Sequence, residues 1–415
     1  MVIETLVASH AVGKGAEPDA VFAILKAANA ATAKYGKGQV INASIGALYT
    51  EEEKFATLPT VEAYFRSIPA EELMNYAPIS GLPEFLEAAI ADTFQGFQPP
   101  HTYARAIATP GGTGGVRHAI YNYVEQGEKV LVPDWAWGPY HTIAAEHLRG
   151  TETYEMFDRD FHFNFDAFTE KAEGLLKTQN NFLAIFNTPA HNPTGYSLTV
   201  EEWRQILDLC KAWAANEQKK IILLLDMAYL DYAGDVEETR QFMRLFEALP
   251  ANVLILIAYS MSKAYLIYGM RSGALIALSS SPEVAQEFER ISAFSNRGVW
   301  SNGTRGAQRL LADLAKDPVL RSKVTAERNV YRDLLKQRSA ILLEEARAVD
   351  LQLMPYQSGF FITVPTAQPR QLVEKLMSEN LFTVPLKKGI RLAICAVPTY
   401  KVPGMAQKIK AALST

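Results

Sequence analysis

Cysteine is scarce in this chain. Of 415 residues only Cys210 and Cys395 carry thiols, too few and too far apart for a disulfide framework or a metal-ligand spacing, which suits a reduced compartment. Long apolar runs are missing too: none approaches the ~20 residues that a bilayer-spanning helix requires. The opening MVIETLVASHAVGKG has no charged head followed by a sustained apolar core, so a soluble, cytoplasmic protein with no membrane partner is expected. Neither sign of charge dominates, since 41 Lys+Arg stand against 45 Asp+Glu for a net charge of -4, and no basic footprint points to nucleic acid. Internal repeats, low-complexity tracts and long Gly/Ser or Pro linkers are absent as well, so domain limits must be read from pattern.

What is present is 48% hydrophobic and 21% charged residues, enough for a large core, and a prior of roughly 150 residues per domain allows two or three units. Short apolar runs recur at Lys129–Val132, Leu183–Phe186, Ile221–Leu225, Val253–Ala258 and Ala274–Leu278. Such runs suit strands buried on both faces of a mainly parallel sheet. Helical patterns lie between them, at Leu82–Phe94 and at Val200–Ala215, the latter opened by a capping box, Thr199 with Glu202. Strands alternating with helices predict an α/β architecture, a central sheet flanked by helices. The last hundred residues differ, with a long charged helical stretch from about Lys323 to Val349 and short strands near Gly359–Val364 and Ile390–Cys395. They read as a smaller α+β domain. Expected units are an N-terminal segment 1–50 that joins it, a large domain 51–322 and the small domain 323–415.

Ligands collect at the carboxyl ends of strands in open α/β sheets, and polar residues concentrate there. Asn187 closes LAIFN, Asp226 closes IILLLD, and Ser260, Ser262 and Lys263 follow VLILIAYS. Lysines that form imines are desolvated or set beside other cations, and Arg271 lies in the same SMSKAYLIYGMRSG segment as Lys263. The plainer reading of Lys263 alone is a surface loop residue. Asp226, after a five-residue apolar run, is placed where an unpaired carboxylate is costly, and a protonated pyridine nitrogen would supply its cation. A helix-capping aspartate is the alternative. Tyr229 and Asn192, the latter in AHNPTG, are hydrogen-bonding groups suited to a phenolate oxygen, although NPTG also makes a β-turn unaided. TPGGTGGVRHA is a glycine-rich turn opening a helix, able to bind phosphate through backbone N–H groups. It is neither G-x-x-x-x-G-K-[ST] nor a clean G-x-G-x-x-G after a strand, which removes the main support for nucleotide readings. Trp137 could stack on a planar heterocycle or simply fill core. Arg391, inside the apolar run GIRLAIC, offers a bidentate fork for a carboxylate, with a structural ion pair as the alternative.

Taken in order, these segments resemble fold type I enzymes dependent on pyridoxal 5'-phosphate (PLP), specifically the class I aminotransferases around the aspartate and aromatic aminotransferases. The resemblance spans INASIGALY, NYAPISGLPEF, GGTGG, the Trp137 segment, AHNPTG, DMAY, SMSK with Arg271, SNRGVWSN and Arg391. It implies the aspartate aminotransferase-like fold and a Schiff base on Lys263, which also acts as general base. By the same resemblance Asp226 would meet the pyridine nitrogen, Tyr229 and Asn192 the ring oxygen, Trp137 a ring face, and Gly112, Thr113, Ser260, Ser262 and Arg271 the phosphate. A homodimer with shared sites is implied, in which Tyr76 would reach the neighbour's phosphate and Arg297 the neighbouring substrate's side-chain carboxylate. Arg391, with Gly46 beside it, would bind the substrate α-carboxylate.

Two positions depart from the dicarboxylate-specific pattern: Gly111 stands where a serine precedes the phosphate-binding Gly-Thr, and Tyr140 where a histidine backs the ring aspartate. Phe294 and Trp300 make the Arg297 segment aromatic-rich. The expected reaction is transamination between an acidic or aromatic L-amino acid and a 2-oxo acid such as 2-oxoglutarate. A PLP-dependent lyase or decarboxylase on the same fold is the alternative. A PLP-binding regulator would need a DNA-binding region, which the stretch before Gly46 is too short and insufficiently basic to supply.

Overall fold

All five apolar runs become strands of one sheet, and each is buried on both faces as its composition predicts. The computed structural model describes residues 5–16 and 20–414; residues 1–4 and 17–19 of the N-terminal segment and residue 415 of the small domain lie outside the described residues. The sheet has seven strands, β1 (Tyr103–Thr109), β2 (Lys129–Pro133), β3 (Gly150–Tyr154), β4 (Asn181–Asn187), β5 (Lys220–Asp226), β6 (Val253–Ser260) and β7 (Gly273–Ser279). Their spatial order is β1-β7-β6-β5-β4-β2-β3. Only β7 runs against its neighbours, antiparallel to both β6 and β1. Alternation along each strand feeds two separate cores, with Leu183, Ile185, Ile222, Leu224, Leu254 and Leu256 in one. Phe182, Ala184, Phe186, Ile221, Leu223, Leu225, Ile255 and Ile257 belong to the other. This is the period-two geometry of a strand covered on both sides.

The helix expected after Thr199 spans Val200–Ala214, and its capping box is formed, with Thr199 Oγ1 accepting from Glu202 N and Glu202 Oε2 from Thr199 N. The long charged helix begins earlier than expected, at Pro318, and ends at Ala348. Asp317 caps it by accepting from the N–H groups of Val319 and Leu320, with Pro318 in the first turn. Beyond it lies a three-stranded antiparallel sheet, β8 (Phe361–Pro365), β9 (Val384–Pro385) and β10 (Gly389–Ala393), in the order β9-β10-β8. The run read as a strand to Cys395 turns into a 3-10 helix at Ile394–Ala396. The N-terminal part of the chain joins this region, because Ile41 and Asn42 pair in parallel with Leu381 and Phe382. Among the described residues no helix is long and apolar enough to cross a membrane.

Candidate functional site

Strand register builds the site. Asn187 and Asp226 end β4 and β5 as cross-strand partners, and Asp226 lies opposite Ala258 of β6. β6 continues to Ser260, which pairs with Gly273 at the start of β7. Because β7 is antiparallel, the segment just before it returns to the same edge and carries Arg271 there. β1 ends at that edge too, Thr109 pairing with Gly273, so the glycine-rich turn starts the helix Gly111–Tyr123 beside Ser260. Backbones crowd at this junction: a Cβ on Gly273 would stand 2.3 Å from Tyr259 O, and one on Gly112 would stand 3.3 Å from Ser260 Cβ. Gly111 has φ +68, and a Cβ there would meet Arg271 Nη2 at 2.8 Å. A side chain at position 111 would therefore have to take a positive φ and displace the flexible end of Arg271.

These segments enclose a cavity of about 80 Å³. The glycine turn contributes Gly112 and Thr113, and the helical turn Met261–Ala264 with its flanks contributes Ser260, Ser262, Lys263 and Arg271. Trp137, Asn187, Asn192, Asp226, Ala228 and Tyr229 complete the lining. Ten of the fourteen residues singled out from the sequence, counted from this lining, thus converge without adjustment.

Asp226 is buried, and burial raises its carboxyl above the ordinary carboxylate value, opposed by the Tyr140 hydroxyl, by Lys263 and by the Ala228 N–H. Tyr140 Oη donates to Asp226 Oδ2 at 2.7 Å, which fills the place behind the aspartate that the sequence left open. Tyr140 is itself buried and stays protonated, its pKa pushed well above 10 by desolvation and by Asp226. Asp226 is a strand terminus rather than a helix cap. Asn187 Nδ2 donates to the Asp226 main-chain oxygen at 2.8 Å, and its Oδ1 accepts from Asn192 N at 2.6 Å.

Lys263 is not a surface residue. Desolvation pushes its amine down to about 8, with Asp226 pulling upward and Arg271 pushing further down. Its Nζ lies 5.5 Å from the Tyr229 ring centroid and 5.7 Å from that of Tyr268. Tyr268 was missed from the sequence, although it stands five residues after Lys263; its hydroxyl accepts from Leu48 N at 3.1 Å. Arg271 Nη1 donates to Ser262 Oγ at 3.3 Å and to Tyr268 O at 2.8 Å.

Arg391 reaches this centre from β10. Its guanidinium lies 4.2 Å from the Phe361 ring centroid, Nη2 donates to Ser44 O at 3.1 Å and Nη1 to Asn192 Oδ1 at 3.3 Å. Asn192 Nδ2 in turn donates to Tyr229 Oη at 3.4 Å. Gly46 packs against the same phenylalanine: a Cβ there would stand 2.7 Å from Phe361 Cζ. Four candidates fall outside the cavity lining: Arg391 and Gly46 pack beside it, whereas Tyr76 and Arg297 are exposed, Tyr76 at 82%.

The donor set fits a phosphorylated pyridine aldehyde. One glycine, three hydroxyls and a guanidinium would hold a phosphate, the Trp137 indole would flank a planar ring, the buried Asp226 carboxylate would meet a ring cation, and the desolvated Lys263 amine would meet the aldehyde.

Comparison with known proteins gives the same answer. A crystal structure of an aminotransferase from Anaerococcus prevotii superposes with a TM-score of 0.97 at 37% identity, covering 99% of this chain and 100% of that one. The aromatic-amino-acid aminotransferase of Burkholderia pseudomallei, covalently bound to pyridoxal phosphate, gives a TM-score of 0.81 at 22% identity over 98% of this chain and 100% of that one. A mitochondrial aspartate aminotransferase of Dictyostelium discoideum is 26% identical over 382 residues, 89% of this chain and 86% of that protein. The profile of the family described as Aminotransferase class I and II matches residues 38–409, and the chain belongs to that family of PLP-dependent transaminases.

Proposed function

We propose that the chain moves the α-amino group of an acidic or aromatic L-amino acid to 2-oxoglutarate, working as a homodimer with shared active sites. The convergence of Lys263, Asp226 and Arg391 on one sheet edge carries this reading: an amine, a ring-facing carboxylate and a guanidinium are what an α-amino acid and PLP together require. The cofactor, when bound, supplies an electron sink for charge developing at the substrate α-carbon. Asp226, held by Tyr140, meets the ring nitrogen. Trp137 covers one ring face, Asn192 and Tyr229 meet the ring oxygen, and Gly112, Thr113, Ser260, Ser262 and Arg271 hold the phosphate. Lys263 Nζ would take up the α-proton, a role for which an amine pushed down to about 8 is suited.

Arg391 grips the α-carboxylate as a planar fork, oriented by the Phe361 ring it lies over, and Gly46 leaves room for the ligand to approach. The unit 323–415, together with the segment 1–50, brings Arg391 to the large domain 51–322, and closing that junction expels water from the site. Tyr76 and Arg297 act on the neighbouring subunit, meeting its cofactor phosphate and its substrate's side-chain carboxylate. What supports the dimer is the exposure of apolar side chains around these two residues, Met74 at 85%, Tyr76 at 82% and Phe294 at 82%.

The test is the half-reaction. Holoenzyme mixed with glutamate should lose the cofactor's visible band and release 2-oxoglutarate in stoichiometric amount. Silence with every amino acid tried refutes transamination. Release of pyruvate and ammonia from an amino acid without any oxo-acid acceptor would assign the chain to the lyases instead.

A further inference from the structure

The helix Gly111–Tyr123 begins in the cavity, but a residue further along it serves no step described so far. His118, fully buried, places Nε2 2.8 Å from Asn296 Oδ1, and its ring stacks on Trp300 at 4.5 Å and 23°. Asn296 is also fully buried. Its Nδ2 donates to Ile79 O at 2.8 Å and Ala108 O at 3.0 Å. Both amide hydrogens are thereby committed, so Oδ1 is the acceptor and His118 carries its proton on Nε2. His118 Nδ1 is then left to accept from Arg117 Nη1 at 3.1 Å. Desolvation and the neighbouring Arg117 push the imidazole down to about 4, which keeps it neutral.

Asn296 also ends the helix Pro282–Val299, its main-chain oxygen accepting from Trp300 N at 3.1 Å and Ser301 N at 3.0 Å. Arg297, the next residue, is exposed and donates from Nη1 to Ser301 Oγ at 2.6 Å. Ile79 lies three residues beyond Tyr76. One buried amide therefore ties together the helix that starts in the cavity, the Tyr76 segment, and the turn carrying Arg297.

We propose that His118 and Asn296 form a positioning clamp for dicarboxylate recognition, holding Arg297 in the geometry that the neighbouring subunit's site needs. The clamp rests on the shared-site dimer reading above. A long arginine recognises a carboxylate through a fork of fixed geometry, and misplacement by ~1 Å can remove most of its effect. Removing the His118 proton leaves Asn296 Oδ1 buried without its donor. That desolvation cost is relieved only if the Asn296 segment shifts, which loosens its bonds to Ile79 O and Ala108 O and displaces the neighbouring Arg297.

The experiment compares wild-type holoenzyme with His118→Phe and Arg297→Leu, following the half-reaction with aspartate and with phenylalanine. Phenylalanine at position 118 keeps an aromatic face for Trp300 but lacks the Nε2 proton. The expected result is a KM for aspartate raised on the order of tenfold in His118→Phe, with phenylalanine constants within about twofold of wild type. An unchanged aspartate KM in His118→Phe, with Arg297→Leu raising it, overturns the clamp while leaving the dimer reading intact. An equal rise for both donors marks a general structural loss and also overturns it. If Arg297→Leu itself leaves aspartate unaffected, the assignment beneath fails and the clamp goes with it. Should His118→Phe not fold, Trp300→Leu at a half-buried position reads the same quantity: a smaller rise confined to aspartate is expected, and no rise refutes it.

Discussion

The amine of Lys263 should titrate far below an ordinary lysine, and this can be read before any turnover occurs. Desolvation lowers it from 10.5 to about 8 against the pull of Asp226, with Arg271 adding to the fall. At pH 7 a group with a pKa of about 8 is roughly one part in ten neutral, against roughly one in three thousand for free lysine, an advantage of about 300-fold in reactive amine. The apo chain should be exposed to pyridoxal, which lacks the phosphate and so reports on the amine rather than on Gly112, Ser260 or Arg271. Borohydride fixes the product, peptide mapping locates it on Lys263, and the second-order rate is followed from pH 6 to 11. The rate should rise with pH to a plateau with its midpoint near 8, because only the neutral amine attacks. Arg271→Gln removes a cation and should move the midpoint up. Asp226→Asn removes an anion and should move it down. A wild-type midpoint at 10 or above, or displacements of the same sign in the two variants, refutes the electrostatic account.

Other expectations are as direct. Tyr140→Phe strips the hydroxyl from Asp226 Oδ2 and should weaken PLP binding to the apo chain by about tenfold, corresponding to loss of a hydrogen bond to a charged group of about 1.5 kcal/mol; unchanged affinity in a spectral titration counts against it. Arg391→Lys should raise KM for every amino donor alike, on the order of tenfold, since an ammonium cannot replace the planar fork over Phe361; a loss confined to one donor class contradicts the α-carboxylate role. Gly46→Ala places a methyl 2.7 Å from Phe361 Cζ and should reduce kcat/KM while costing about 1–3 kcal/mol of stability in a denaturant melt; full activity shows that the ring yields freely.

Most of the site was legible because its residues close or follow strong apolar runs. Asp226, Ser260 and Lys263 are found by asking what comes at the end of a buried strand. Side-chain partnerships between distant segments were not legible. Tyr140 meets Asp226 only because the helix Pro139–Glu146 is set against the end of β5, and Tyr268 reaches Leu48 across the fold. Strand direction was hidden as well, since an apolar run such as Gly273–Ser279 reads the same whether it runs with or against its neighbours. β1 and β3 escaped notice for a different reason. YARAIAT carries Arg105, and GTETY is a polar edge strand with one buried residue, so neither forms a continuous apolar run. The early start of the helix at Pro318 was signalled by Asp317-Pro318, which a reading led by charge pattern passed over.

The pairing of Ile41 with Leu381 closes a loop of 340 positions. A ribosome emitting this polypeptide can complete that contact only after residue 381 has emerged, whereas strands β1 to β7 are outside well before then. The seven-stranded sheet can therefore assemble during translation, and the piece that delivers Arg391 must dock afterwards, with the slow search that distant contacts impose. Newborn chains should pass through a stage able to hold vitamin B6 phosphate yet unable to grip an amino acid.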